Sequence, residues 1–220
     1  MAISRKGLAG LLSGTIGNVV VYEMNGKMVV RSRPSVKRKK AKGQQKQTQV
    51  LFAQVMKAMQ IAKPFLRIGF ANQNGHSAFH SAMSANMLRM KTEVQFSYEK
   101  LIFSAGNGFE CPGISLAIIP GNKLQIQWLG TEAGGEEFRE ETSAIFVFNE
   151  TQQHCEYGLN CGKRSSMEAS LQLKNARPGD KIHVYLAFLE YNNMLFAQKF
   201  SITQSVWVGS ILFQPEISAD

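Results

Sequence analysis

The stretch NVVVYEMNGKMVVRSR, residues 18–33, carries the clearest folding signal in the sequence. Asn25 and Gly26 stand between two runs of β-branched residues, and both tolerate the positive φ that a two-residue hairpin turn requires. A loop of this length fixes the strand register and places Tyr22 opposite Val29. The sequence therefore predicts an antiparallel β-hairpin.

Side-chain alternation gives this hairpin two different faces. Lys27, Arg31 and Arg33 fall on a cationic face. The other face is apolar, and two strands cannot bury it by themselves. It must pack on the helices, on the sandwich or on another chain. The candidate packing or interface residues are Val19, Val21, Met28 and Val30.

Positive charge is concentrated at the N-terminal end of the chain. Residues 1–46 contain eleven Lys and Arg and one acid, a net charge of +10, whereas the remaining residues carry −1. This polarity predicts an anionic partner at that end, although a solvated basic face explains such a run equally simply. The candidate residues for binding that partner are Lys27, Arg31, Arg33, Lys37, Arg38, Lys39, Lys40, Lys42 and Lys46.

Downstream of the basic arm the hydrophobic pattern changes twice. Apolar residues from Leu51 to Ala62 recur with helical periodicity, and Pro64 ends or kinks that helix. A second helix is predicted over residues 77–90. From residue 92 the pattern becomes β, with Val94, Phe96 and Tyr98 alternating in the first strand candidate and turn signals between the later ones.

The predicted fold is therefore α+β. An N-terminal β-hairpin and two helices are followed by an antiparallel β-sandwich of the immunoglobulin or fibronectin type. The expected division is a basic hairpin, linker and helical region over residues 1–91, and a β-sandwich domain over residues 92–220.

Two segments resemble known proteins. GLLSGTIGNVVVYEMNGKMVVRSRP, followed by QQKQTQVLFAQVMKAM, resembles the start of an uncharacterised family of Bacteroidota proteins. The resemblance implies a Gly-rich hairpin, a basic link, a Gln-rich helix start and an immunoglobulin-like C-terminal half. The N-terminal module also resembles one in proteins encoded near phage structural genes, which implies a particle or assembly component.

The second resemblance lies in the C-terminal half. LQLKNARPGDKIHVYLAF, residues 171–188, is similar to the turn before strand F of fibronectin-type sandwiches, with Ile182 where a Tyr recurs there. By the same resemblance Trp128 takes the place of the buried strand-C Trp. A Trp at the end of an alternating strand is expected to be a core residue.

Catalytic and metal chemistry have only weak sequence signals. His76 and His80 have the i, i+4 spacing of a metal pair, but no third ligand is near. Cys155 or Cys161 could pair with His183 as a nucleophile, although nothing in the sequence activates the thiol. Five acids in the stretch from Glu132 to Glu141 suit a surface loop, which could also meet the basic segment of a neighbouring copy.

We therefore expect a non-enzymatic structural, assembly or interaction protein, with no catalytic, cofactor-binding or metal residues and no cofactor. Its partner is expected to be a protein or a second copy of the chain, and no small-molecule ligand is indicated. The alternative is a sequence-nonspecific nucleic-acid-binding protein whose arm contacts the phosphate backbone. No stretch reaches the ~18 apolar residues that a membrane helix needs, and no signal peptide is recognisable. The expected location is the cytoplasm or an assembled particle.

Overall fold

The computed structural model describes residues 2–4, 12–24, 26–33, 40–71, 77–92, 95–109, 111–130, 141–194 and 197–214. The chain forms two compact units, Met1–Lys42 and Gly43–Asp220. The sequence predicts that the division falls after residue 91, so that the helices belong to the same region as the hairpin. In the structure the helices belong to the second unit, because they share a hydrophobic core with the sandwich.

The first unit is a four-stranded antiparallel sheet. Its strands, in spatial order, are β1 (Ala2–Ser4), β2 (Leu12–Ile16), β3 (Val19–Met24) and β4 (Lys27–Ser32). The predicted hairpin register is confirmed, since Tyr22 pairs with Val29 and Val20 with Arg31. Gly26 has the positive φ, 74°, that the tight turn requires, and Asn25 lies outside the described residues.

Strands β1 and β2 were not predicted. Residues 3–14 contain several Gly and Ser, which hide the alternation of apolar and polar side chains. Backbone hydrogen bonds pair these strands without help from that alternation. A usable signal was Gly17-Asn18, a two-residue hairpin turn in which Gly17 has φ 57° and Ile16 pairs with Val19.

Three helices open the second unit: α1 (Gln44–Ile61), α2 (Lys63–Gly69) and α3 (Ala78–Met90). The first long helix and the helix near residues 77–90 are confirmed. Pro64 lies at the start of α2, where its missing N–H costs nothing, and so begins a short helix instead of only ending α1. Ser77 caps α3 by accepting a hydrogen bond from the backbone N–H of His80.

In the described part of the second unit, eight strands make the sandwich, in two antiparallel sheets. A three-stranded sheet has the order β5-β6-β9, and a five-stranded sheet contains the path β11-β10-β7-β8. The last strand, β12, pairs with the first half of β10, while β11 pairs with its second half. The bounds are β5 (Ser115–Ile119), β6 (Lys123–Gln127), β7 (Thr142–Asn149), β8 (His154–Gly158), β9 (Glu168–Gln172), β10 (Lys181–Met194), β11 (Ala197–Ile202) and β12 (Val206–Leu212).

The five-stranded sheet is covered on both faces. Phe146 and Tyr185 point into a core shared with the helices, which includes Val55. Their chain neighbours point to the other side, where Val147 and Val184 meet the three-stranded sheet. Residues 143–149 of β7 and 182–189 of β10 are therefore all buried, which explains why both strands read as almost continuous apolar runs.

The stretch 95–109 is not a strand, contrary to the expectation from Val94, Phe96 and Tyr98. It is held instead by a buried side chain of α3. Asn86 donates to the carbonyl of Ile102 at 2.9 Å and accepts from its N–H at 2.8 Å. The backbone N–H groups of Phe103 and Ser104 donate to the Ser205 hydroxyl at 2.7 and 3.2 Å, so side chains satisfy main-chain groups here that a neighbouring strand would otherwise pair.

Trp128 is a core residue, as predicted. It is 5% exposed and lies edge to face against Phe188, with ring centroids 5.5 Å apart. The prediction that Trp128 lies in strand C, the third strand of the sandwich, is wrong, because this residue follows β6, which is the second strand. The number of each later sandwich strand decreases by one, because residues 95–109 do not form the predicted first strand.

Among the described residues, none of the helices combines the length and the apolar character that crossing a bilayer requires.

Candidate functional site

The cationic face of the first unit is built on β4. Lys27 and Arg31 lie on the same face, with Val29 between them, because the pairing with β3 fixes the alternation. The Arg31 guanidinium is 5.6 Å from the centroid of the Tyr22 ring, within cation–π range. Arg33 follows the strand, and its backbone N–H donates to the carbonyl of Asn18 at 2.7 Å. All three cationic side chains are exposed.

The basic arm is described only in part. Lys37, Arg38 and Lys39 lie outside the described residues. Lys40 and Lys42 are exposed in the stretch before α1. Lys46, also exposed, lies in the first turn of α1 and so belongs to the second unit. Of the nine predicted cations, the structure thus brings Lys27, Arg31 and Arg33 together on one ordered element.

The apolar face of the same sheet is mostly open. Val21 is 7% exposed, whereas Val19, Met28 and Val30 are 39%, 49% and 60% exposed. Ile16, paired with Val19 and 49% exposed, joins them. Ile16 was not among the predicted interface residues, because β2 was not predicted. Val21 is the only buried side chain among those described in this unit.

A polar cluster that the sequence did not reveal surrounds His183 on β10. The ring is 4% exposed, stacks on Tyr98 with centroids 4.3 Å apart, and places Nε2 2.8 Å from a carboxylate oxygen of Glu150. The same oxygen lies 3.1 Å from the ammonium group of Lys181. Burial lowers the pKa of His183 against the opposing effect of Glu150. The hydrogen bond with His183, with Lys181 nearby, lowers the pKa of Glu150.

This cluster is the arrangement of a neutral imidazole donating to a carboxylate. Nδ1 of His183 has no hydrogen-bond partner among the described residues. No described thiol or hydroxyl therefore donates to the ring, which a nucleophile–His–acid relay would require. The geometry holds β10 to the turn after β7, and it was not predictable from the sequence because Tyr98, Glu150 and His183 are far apart in the chain.

The predicted cysteine nucleophiles are not paired with His183 among the described contacts. The Cys155 thiol donates to the carbonyl of Ile61 at 3.1 Å, and burial raises its pKa to about 11. Burial also raises the pKa of Cys161 and of Cys111. Thiols in this state are protonated at neutral pH and are weak nucleophiles.

The predicted histidine pair cannot be followed as a pair, since His76 lies outside the described residues. His80 Nδ1 lies 2.6 Å from the hydroxyl of Ser77. No group of three or more His, Cys, Asp or Glu side chains in the described part of the chain is arranged to hold a metal ion.

One acid of the predicted acidic loop is described. Glu141 is 2.6 Å from the Arg164 guanidinium, which lies 4.5 Å from the centroid of the Phe188 ring. This acid closes the edge of the sandwich core and is not available as a general acid or base. Residues 131–140 lie outside the described part of the chain.

Comparison with known proteins gives a family but no activity. No curated protein shows significant similarity to the chain. A model of a protein family of unknown function, DUF6266, matches residues 11–203, which span most of the first unit's sheet, the helices and the sandwich through β11. The chain belongs to this family of unknown function, DUF6266.

Proposed function

We propose that this protein is a non-enzymatic structural, assembly or interaction protein that docks through its basic N-terminal sheet and arm. The observation that carries the proposal is the open apolar face of a separate unit in which Val21 is the only buried side chain described. A component of a phage-like particle is the specific role favoured by the resemblance of the N-terminal module to one in proteins encoded near phage structural genes, and the resemblance of the chain to an uncharacterised family suggests a Bacteroidota origin.

The apolar face supports docking on energetic grounds. Burying a Val, Ile or Met side chain stabilises a structure by about 1.5–3 kcal/mol relative to leaving it in water. Four such side chains on this sheet keep roughly half of their surface exposed: Ile16, Val19, Met28 and Val30. A small sheet with so little buried surface gains stability from a partner that covers it.

The charges narrow the kind of partner. One face of the sheet is apolar and the opposite face carries Lys27 and Arg31, so the expected partner offers an apolar patch to the first face and acids to the second. A second copy of the chain contains such acids, because four of the ten residues in 131–140 are Glu and one is Arg. Self-assembly through unlike charges is therefore the preferred form of the proposal, inside the cytoplasm or a particle.

Nucleic-acid binding is the second candidate, favoured by the eight cations and no acids between Arg31 and Gln49. Neutralising even six phosphates gives strong binding that weakens steeply with salt. No aromatic residue interleaves this run to stack on bases, and Tyr22 already lies against Arg31. Binding of this kind contacts the phosphate backbone and does not read the base sequence.

The test is the mass of the purified full-length protein by light scattering, at low and high salt, before and after nuclease treatment. The proposal predicts an oligomer that survives nuclease. Met28→Gln/Val30→Thr, which changes only the apolar face, is expected to dissociate it. Lys27→Gln/Arg31→Gln is the matched pair on the opposite face of the same strand and is expected to slow assembly at low salt without abolishing it.

A monomer that carries nuclease-sensitive, salt-labile absorbance at 260 nm would replace the proposal with the nucleic-acid alternative. A monomer free of nucleic acid at every salt concentration would contradict both self-assembly and that alternative, and would restrict docking to a different protein.

A further inference from the structure

A recess at one end of the sandwich lies outside the surfaces considered above. It has a volume of about 500 Å³, within the range of small-ligand sites. The turn between β7 and β8 forms one side, and the loop before β10 forms the other. The lining residues are Gln152, His154, Lys174, Asn175, Ala176 and Arg177.

Two carboxylates fix the loop on which the cationic residues stand. Glu156 accepts hydrogen bonds from the backbone N–H groups of Lys174 and Asn175, at 2.8 and 2.9 Å. Asp180, 4% exposed, accepts from the backbone N–H of Arg177 at 2.8 Å. Both acids are thus occupied by main-chain donors, and the loop does not depend on the Lys174 or Arg177 side chains.

The amide side chains of the recess are also held in place. Gln152 donates to Asp180 at 2.5 Å and to the carbonyl of Asn175 at 3.2 Å. Asn175 Nδ2 is 3.3 Å from His154 Nε2. This contact holds the His154 ring at the recess.

The cationic side chains have no such partners. Neither the Lys174 ammonium nor the Arg177 guanidinium makes a hydrogen bond or an ion pair with another residue in the described part of the chain. Both residues are exposed at the recess. Two cationic side chains without a hydrogen bond or ion pair therefore line one concave space together with a histidine and an amide. The charge of Arg177 also acts on the nearby Asp180 carboxylate and lowers its pKa against the effect of burial.

We propose that this recess binds a phosphate dianion, either free or as the phosphate monoester of a small molecule. A guanidinium fork and an ammonium group, with further N–H donors, match the several oxygens and the double charge of phosphate. A nucleic-acid strand fits less well, because no aromatic side chain lines the recess to stack on a base. The site lies wholly in the second unit and does not rest on the proposed docking function.

The experiment is calorimetric titration of the full-length protein at constant ionic strength in chloride, with inorganic phosphate, ribose 5-phosphate and malonate in separate runs. Lys174→Ala/Arg177→Ala is the test variant. Lys63→Ala/Arg67→Ala removes the same charges from an exposed face of α2 and is the control. Phosphate or ribose 5-phosphate is expected to bind at least about tenfold more weakly to the test variant and equally well to the control.

Comparison of inorganic phosphate with ribose 5-phosphate distinguishes a site for free phosphate from a site for a phosphate monoester. Binding of both supports a site for the shared phosphate group, and tighter binding of ribose 5-phosphate shows that the rest of the molecule also makes contacts. The proposal is overturned if neither binds at millimolar concentration, if the test variant binds as tightly as the wild type, or if malonate binds as tightly as phosphate. Unchanged circular dichroism and thermal unfolding of the test variant exclude misfolding as the reason for a loss.

Discussion

His183 shows how one buried residue couples stability to pH. Its ring is enclosed by Tyr98 and hydrogen-bonded to Glu150, with Lys181 and Glu99 as the other charged groups that act on it. Burial lowers the pKa of His183 in the folded chain below the value of about 6.5 that it has in the unfolded chain. The unfolded chain therefore takes up a proton more readily than the folded chain as the pH falls.

The expected result is that the free energy of unfolding is highest above pH 6.5 and decreases as the pH is lowered through this value. One proton gives a slope of at most about 1.4 kcal/mol per pH unit. Urea unfolding at pH 7.5, 6.5 and 5.5 measures it. His183→Gln is expected to flatten the dependence, whereas His80→Gln, at an exposed position, is expected to retain it. An equally steep decrease in both variants would show that another group is responsible.

Asn86 is the other residue whose role was invisible in the sequence. It sits among the apolar residues of α3, yet it is fully buried and satisfies both main-chain groups of Ile102. Periodicity could place the position on the inner face of the helix. It could not show that a polar side chain there would replace a strand for residues 95–109, because that contact joins residues 16 apart.

At the scale of elements, the sequence predicted best where a local rule decides the outcome. The hairpin register followed from a two-residue turn, and most sandwich strands followed from alternation between turn signals. β1, β2 and β8 were missed because they are short and contain few large apolar residues, although each pairs with a strand next to it in the chain. The cationic and apolar faces of β3–β4 were predictable for the same local reason, whereas the recess and the His183 cluster depend on tertiary contacts.

The backbone of α2 closely approaches residues 103–104, which follow α3 in the chain, and this contact gives a prediction at the scale of elements. A Cβ on Gly69 would collide with the carbonyl oxygen of Phe103 and the backbone of Ser104, whereas one on Gly108 would meet nothing within 4 Å. Gly69→Ala is expected to destabilise the protein by about 1–3 kcal/mol, as overpacking of a close contact does. Gly108→Ala is expected to leave the midpoint of thermal unfolding nearly unchanged. Equal midpoints for the two variants would mean that α2 moves away without cost.

At the scale of the whole molecule, the two hydrophobic cores and the proposed docking surface belong to different units. Both hydrophobic cores are made of residues from Leu51 onward, and the helices, the central sheet and the three-stranded sheet form successive layers around them. Neither core includes a residue from the described part of the first unit. Most of the net positive charge also lies in its part of the sequence. The described core residues and most of the net positive charge thus lie in different units, which is the division that the docking proposal uses.

This division predicts that residues 43–220 fold without the first unit. The fragment retains both cores and every strand pair of the sandwich, so its urea midpoint is expected to equal that of the full chain. Residues 1–42 alone are expected to show no cooperative transition, because a sheet with one buried side chain among those described gains too little from burial to offset its conformational entropy. The full chain measured at the same concentration is the reference. A fragment that unfolds at clearly lower urea would show that the first unit stabilises the second, and docking would then have to release that contact.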